Sequence, residues 1–290
     1  MKRLLNYIVI LSLSLFVFGC DTILSSGKTI DSASDEFQYI EESKKGITNY
    51  KGVPFNGFIT ETYSNGQLHG KTTFKDGKND GPSEWYYENG QLEGKVTYKD
   101  GKLHGASESY HENGQLSWKR TYKDGKEDGA FESYYENGQL KAKGTFKDGK
   151  LHGASESYYK NGQLSFKTTW KDGEKDGAFE SYHENGPLKE KGTLKDGKQD
   201  GAFETYHENG QLSWKRTYKD GKEDGAFEIY YENGQLKAKG TFKDGKEDYE
   251  TYYENGQLKE KGTYKNRRQY GPVEIYNEDG TRRNYSMYNG

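Results

Sequence analysis

Gly129-Ala130-Phe131-Glu132-Ser133-Tyr134-Tyr135-Glu136-Asn137-Gly138-Gln139-Leu140-Lys141-Ala142-Lys143-Gly144-Thr145-Phe146 reads as one β-hairpin. Asn-Gly and Asp-Gly steps tolerate the positive φ angles of a type I′ turn, so each marks a tight two-residue reversal. Folding at Asn137-Gly138 predicts Tyr135 opposite Leu140, Ser133 opposite Ala142, Phe131 opposite Gly144 and Gly129 opposite Phe146. Those pairs share one face and are mainly apolar. The other face receives Glu136–Gln139, Tyr134–Lys141, Glu132–Lys143 and Ala130–Thr145. A slip of one residue would mix the two faces, which strongly favours this register.

The same unit recurs along the chain. Asn-Gly occurs at Asn65, Asn89, Asn113, Asn137, Asn161, Asn185, Asn209 and Asn233, 24 residues apart, returns at Asn255 after 22, and is replaced by Asp279-Gly280 after a further 24. Asp-Gly interleaves from Asp76 through Asp244 with the same 24-residue spacing. Two turn signals per period leave segments of about ten residues, a strand length. Folding at Asp148-Gly149 predicts Phe146 opposite Leu151 and Gly144 opposite Gly153. The arithmetic that pairs Glu132 with Lys143 also pairs Glu84–Lys95, Glu108–Lys119, Glu156–Lys167, Glu180–Lys191, Glu204–Lys215, Glu228–Lys239 and Glu250–Lys261. Exposed cross-strand pairs of this kind contribute a few tenths of a kcal/mol up to about 1 each, and fix register more than they add stability. The shortened repeat at Asp244-Gly245-Lys246-Glu247-Asp248-Tyr249 has lost two residues, an even number, so side-chain facing survives. The expected fold is all-β: an elongated single-layer antiparallel meander of about ten tandem 24-residue β-hairpin repeats, following an N-terminal signal helix.

Composition agrees with a thin sheet. The chain of 290 residues is 30% hydrophobic and 31% charged, yet holds 26 Tyr, 13 Phe and 4 Trp, with 38 Gly against 4 Pro. Disordered chains are poor in aromatics. A net charge of −3 gives no basic face for nucleic acid. Lys2 and Arg3 precede an apolar run from Leu4 to Phe18, then Gly19-Cys20. That run is shorter than the roughly 20 residues a membrane-spanning helix needs, and reads as a secretory signal. Val17-Phe18-Gly19-Cys20 resembles a bacterial lipobox, which implies lipidation of Cys20, the only cysteine, and a lipid bilayer as first partner. Three segments follow: a lipoprotein signal peptide at 1–20, a polar tether at 21–42, and the repeat array at 43–290. The expected location is the cell envelope, lipid-anchored.

The units, with Tyr-Tyr-Glu-Asn-Gly-Gln-Leu at 134–140 and Tyr-Lys-Asp-Gly-Lys at 122–126, resemble the MORN-repeat variant found in bacterial proteins labelled the YwqK antitoxin family. The resemblance covers roughly residues 43 to 290. It implies an elongated sheet of hairpins used in protein or membrane contacts, and it carries no catalytic residues. An exported lipoprotein has no access to a cytoplasmic toxin, which leaves an antitoxin role only where the toxin is exported too.

His111, His183 and His207 take the slot of Tyr135, and His183 and His207 lie one repeat apart, about 10 Å, too far to share a zinc ion. Asp148-Gly149-Lys150 puts a cation where a calcium loop needs an oxygen. Each Glu of the Glu132 series faces a Lys rather than a second carboxylate. These readings give no catalytic residue, no metal site and no cofactor. The candidate binding face is the aromatic one, with Trp118, Tyr135, Leu140, Phe146, Trp170 and Trp214 on it. Either twist and curl of the sheet seal that face, or it contacts a partner. A protein and a cell-wall glycan are the two classes of partner it suits.

Overall fold

The two turn signals build two different reversals. At Asp148-Gly149 both residues have positive φ, 51° and 82°, and Lys147 pairs with Lys150 across the turn. This is the two-residue type I′ hairpin that the sequence predicts. At Asn137-Gly138 only the glycine is left-handed, with φ 80°. The Gly138 N–H donates to the Tyr135 carbonyl, and the Tyr135 N–H to the Gln139 carbonyl at 2.9 Å. That is a three-residue loop, Glu136-Asn137-Gly138, closed by a left-handed glycine. The Asn137 side chain accepts the Gln139 N–H at 3.1 Å, which relieves asparagine of any need for positive φ.

The longer loop changes the pairing next to it. Leu140 lies opposite Tyr134, not Tyr135, and a one-residue bulge then restores Ser133–Ala142, Glu132–Lys143, Phe131–Gly144, Ala130–Thr145 and Gly129–Phe146. Beyond the Asp-Gly turn, Phe146 meets Leu151 as expected, but Lys143 meets Glu156 and Ala142 meets Ser157. Two extra residues therefore sit in the outgoing strand, around Gly153 (φ 80°). Gly144 consequently faces Ser155 instead of Gly153.

The structure is a computed structural model and describes residues 28–265 and 268–283. The predicted signal peptide and Cys20 lie outside the described residues. The chain divides into two units at residues 127 and 128. In the first, Gly57–Thr62, Leu68–Lys75, Lys78–Tyr86, Leu92–Lys99, Lys102–Tyr110 and Leu116–Lys123 pair in chain order as an antiparallel meander. In the second, strands from Lys126–Tyr134 to Leu258–Lys265 do the same, followed by the short strands Arg268–Gln269 and Glu274–Ile275. Through the shortened repeat the ladder is continuous: Glu247–Tyr264, Asp248–Thr263, Tyr249–Gly262 and Glu250–Lys261 are all direct partners, so facing does survive the deletion.

The polar tether expected at 21–42 is corrected from residue 28 onward. Lys28–Asp31 is a strand that runs parallel to Gly57–Thr62, Asp35–Tyr39 is a 3₁₀ turn, and Ile40–Glu42, Thr48–Tyr50 and Val53–Pro54 form a small sheet of their own. Ile30, Tyr50 and Phe55 are buried together, with Ile40, Ile59 and Phe74 packed on them. Residues 43–54 thus belong to this cap and not to the repeats, and the cap covers the edge of the first repeat strand. The parallel strand comes so close that a Cβ on Gly57 would lie 2.0 Å from the Lys28 carbonyl oxygen.

Glycine also shapes the aromatic side of the second unit. A Cβ on Gly192 would lie 2.4 Å from the Phe203 ring and 2.9 Å from Phe179, so both rings lie over bare backbone. Phe179, Phe203 and Phe227 are only 5%, 6% and 5% exposed. Gly192→Ala is expected to lower stability by about 1–3 kcal/mol through overpacking. Thermal or urea melts of the variant read this directly; an unchanged midpoint would mean the rings are free to move aside.

Candidate interaction surface

On the polar face the Glu–Lys pairs join into one continuous row within each unit. In the second, Glu132, Lys143, Glu156, Lys167, Glu180, Lys191, and onward to Lys261 and Glu274, are successive register partners. Every glutamate inside the row has a lysine on both sides. The ion pairs close mainly across the Asp-Gly side rather than within the Asn-Gly hairpin that the sequence singles out. Lys95–Glu108 is 2.8 Å, Lys143–Glu156 2.9 Å, Lys167–Glu180 2.7 Å and Lys191–Glu204 2.9 Å, against 3.9 Å for Lys215–Glu204 within a hairpin. Glutamates of the row also take the hydroxyl of the tyrosine two residues on: Tyr86 to Glu84 at 2.7 Å, Tyr206 to Glu204 at 2.6 Å, Tyr230 to Glu228 at 2.8 Å. Hydrogen bonds from Lys95 and Tyr110 hold Glu108 below the ordinary 4.5, as those from Tyr158 and Lys143 do for Glu156. The lysines move the other way, Lys143 being raised by its bonds to Glu156 and Tyr158.

The two margins are latched from repeat to repeat. Tyr135, placed by the sequence on the binding face, sends its hydroxyl to the Tyr158 carbonyl of the next repeat at 2.8 Å, with Lys141 and Lys160 over its ring at 5.6 and 6.0 Å. Tyr63, Tyr87, Tyr159, Tyr231 and Tyr253 make the same bond at 2.7–2.9 Å. His207 makes the corresponding contact through Nε2, 3.3 Å from the Tyr230 carbonyl, whereas the Nε2 of His183 in the same slot is buried without a partner. Asn137 donates to the Lys160 carbonyl at 3.2 Å. At the opposite margin Asp128 accepts the N–H of Asp148 at 3.2 Å, as Asp80 does from Asp100 at 3.1 Å. Sequence reading missed these latches because their partners lie 20–23 residues away. The recurrence of Tyr, Asn and Asp at fixed slots was the only available sign.

The remaining predicted face residues are distributed over the strands, and their surfaces are partly used by the protein itself. All six are half-buried. Phe146 packs on Phe131 with centroids 5.0 Å apart, and Leu140 pairs with Tyr134. Trp170 donates to Ser155 at 2.7 Å. Trp214 stacks on Phe203 at 6.3 Å, and the guanidinium of Arg216 lies 5.2 Å from its ring; Arg120 does the same to Trp118. Arg120 and Arg216 in turn bind Glu127 and Glu223. The row down the middle (Phe131, Gly144, Ser155, Thr168, Phe179, Gly192, Phe203) mixes large side chains with small ones and is the spine of this face. The face is therefore sealed along its midline and half-open along its flanks. Among the described residues no group of three or more His, Cys, Asp or Glu is placed to hold a metal ion.

The pattern of the MORN repeat variant matches residues 79–100, 103–124, 127–148, 151–172, 175–196, 199–220, 223–244 and 248–266. The chain belongs to the MORN repeat variant family. No curated protein matches it. Among solved structures it is similar to a mutant of S. aureus TarM in complex with Fondaparinux, alpha-GlcNAc-glycerol and UDP, at 12% identity and TM-score 0.19, over 41% of this chain and 19% of that one. It is also similar to TcdB2-TccC3-Cdc42, at 12% identity and TM-score 0.19, over 75% and 15%, and to accessory secretory protein 1,2 and 3 of Streptococcus pneumoniae, at 16% and 0.15, over 43% and 19%. The chain spans less than a fifth of each of these, and likeness of that extent carries no functional argument.

The MORN repeats vary mainly on one face. Glu84 and its counterparts at 108, 132, 156, 180, 204, 228 and 250 are all glutamate, and Lys95 and its counterparts through Lys261 are all lysine. The exceptions on the polar side lie beside the turns: the slot of Lys141 also holds Glu93, Ser117, Ser165 and Ser213, that of Asp128 holds His104 and His152, that of Lys126 holds Glu174, and that of Glu136 holds Lys160. On the aromatic side the slot of Trp118 holds Gly94, Ala142, Phe166, Glu190, Trp214 and Ala238, and that of Glu127 holds Asn79, Leu103, Leu151, Lys175, Gln199, Glu223 and Glu247.

Two outcomes follow from the row and the latches. A carboxyl held low contributes stability above its unfolded value of 4.5 and loses it as pH falls through the folded value, whereas a lysine held high contributes below 10.5 and loses it as pH rises. Stability is expected to be level between these limits and to fall on both sides, with the plateau lowered and the acid limb shallower in Lys143→Met; melts across pH check the shape. Tyr159→Phe keeps the ring and removes one latch, so a loss of about 1 kcal/mol is expected, with faster amide exchange confined to the flanking repeats.

Proposed function

We propose that the repeat sheet is a non-catalytic protein-interaction platform, lipid-anchored in the cell envelope through Cys20, whose partner docks on the flanks of the aromatic face. The observation that carries this is the concentration of repeat-to-repeat variation on that face. Identical Glu and Lys slots build the scaffold; differing side chains on the other side give each position along the array its own shape and charge. Half-buried rings stand beside Arg120 and Arg216, and aromatic and arginine side chains are the kinds enriched in protein contacts. Sugar stacking needs open ring faces, and the guanidinium groups over Trp118 and Trp214 compete for them. This favours protein over wall glycan as the partner of this face.

A photocrosslinking residue at Trp118 or Trp214 is expected to capture a protein ligand in intact cells, while one at Lys119 or Lys215 on the polar face is not. Equal yields from both faces would defeat the assignment. The anchor has its own test: metabolic labelling with a fatty-acid probe is expected in the parent and absent from Cys20→Ala.

A further inference from the structure

The shortened repeat leaves a gap in the polar face. In the full repeats the outgoing strand carries a glycine bulge, Asp-Gly-Ala at Asp224-Gly225-Ala226 and His-Gly-Ala or Asp-Gly-Pro elsewhere, and the Gly225 Cα lies against Thr217, whose Cβ would be 3.2 Å from an added methyl group. At Asp248-Tyr249 the Gly-Ala pair is absent and the strand runs straight between its neighbours, with Asp248 directly opposite both Thr241 and Thr263. Ala226 precedes the missing position by one repeat and Pro272 follows it by one. A cleft of about 550 Å³ opens between them, lined by both.

We propose that this cleft is a binding site for a small saccharide carrying a free amine, on the face opposite the protein-docking surface. Its volume falls within the roughly 300–1,000 Å³ of small-ligand sites. Ala226 and Pro272 offer apolar ends for the C–H faces of a sugar ring, and the exposed Thr241 hydroxyl offers a neutral hydrogen-bonding partner. Along one wall Glu228, Lys239, Glu250, Lys261 and Glu274 supply alternating acceptors and donors suited to vicinal hydroxyls. Lys239 is committed to Glu250 at 3.1 Å and Lys261 to Glu274 at 3.2 Å. Glu228 holds no ion pair among the described residues and accepts only the Tyr230 hydroxyl, at 2.8 Å. With Asp248 also on the lining, carboxylates outnumber ammonium groups, so an anionic ligand is disfavoured and an ammonium on the ligand has Glu228 to meet. A linear polyamine would leave the Thr241 hydroxyl and the lysine donors unused.

The decisive variant restores the tooth: Gly-Ala inserted between Asp248 and Tyr249 gives the strand the sequence pattern of the other repeats, so the fold is retained while the cleft is filled. Calorimetric titration of the full chain with glucosamine trimer is expected to show binding, reduced at least about tenfold by the insertion and by Glu228→Gln, with the N-acetylated trimer weaker than the free amine by a similar factor. Three results would each overturn the proposal: no heat with glucosamine trimer at millimolar concentration, unchanged affinity in the insertion variant, or equal affinity for the acetylated trimer. Crosslinking at Trp118 and Trp214 is read separately, so the two proposals fail independently.

Discussion

Parity governs this molecule. Side chains of a strand alternate between faces with a period of two, so any odd change in residue number would turn the whole array inside out. The three-residue loop at Glu136-Asn137-Gly138 is odd, and the one-residue bulge beside Tyr134 cancels it. The Asp-Gly loop has two residues and the bulge that follows adds two more, both even. The deletion at Asp248-Tyr249 removes two. Each of these irregularities is even or compensated, and that is why Glu132 and Glu274 can stand in one row in the second unit.

Once the faces are sorted, they come under unequal constraint. A glutamate such as Glu204 answers to Lys191 on one side, Lys215 on the other and Tyr206 above, so a change there disturbs two strand pairs and leaves cations without partners. Along the aromatic midline the constraint is volume instead: Phe179 and Phe203 share the space over Gly192, and Ser155 takes the place of a ring opposite Thr168. The flanking slots of Trp118 and Glu127 answer to neither rule. They differ from repeat to repeat, and where Arg120 or Arg216 is present the partner is Glu127 or Glu223.

The hairpin register was legible in the sequence because the charge pattern and the aromatic pattern agree on it: Glu132–Lys143 and Phe131–Gly144 stand where the spacing puts them. The loop type at Asn137-Gly138 was not, since an Asn-Gly pair serves both a two-residue turn and a three-residue loop, and the choice depends on whether Asn137 caps Gln139 or adopts positive φ. Nor was the closing side of the ion pairs, because Lys143 has a glutamate on each flank and strand geometry decides between Glu132 and Glu156. The cap escaped notice for a different reason. Ile30 is a single apolar residue amid Lys28, Thr29 and Asp31, and nothing local to it announces a parallel partner near residue 59. Among the face residues, Tyr135 stands at the margin, where the loop sets it against Gln139 instead of Leu140, while Trp214 and Phe146 lie where alternation puts them.

Latches between consecutive repeats make the energetics local. Each Tyr-to-carbonyl bond, each Asp-to-amide bond and each Glu–Lys contact across an Asp-Gly turn joins a repeat to the next one only, so stability is close to a sum of repeat terms and nearest-neighbour terms. A substitution on a flank of the aromatic face, or even the loss of two residues at Asp248-Tyr249, is then felt by adjoining repeats and not beyond them. Tyr231 shows how small the adjustment is: across the shortened repeat it still reaches a carbonyl, that of Tyr252, at 2.9 Å, with a separation of 21 residues in place of the usual 23. An array built this way can differ at every step along one face while the Glu–Lys row on its other face stays the same, and the capacity for a varied surface is a consequence of how the repeats are joined.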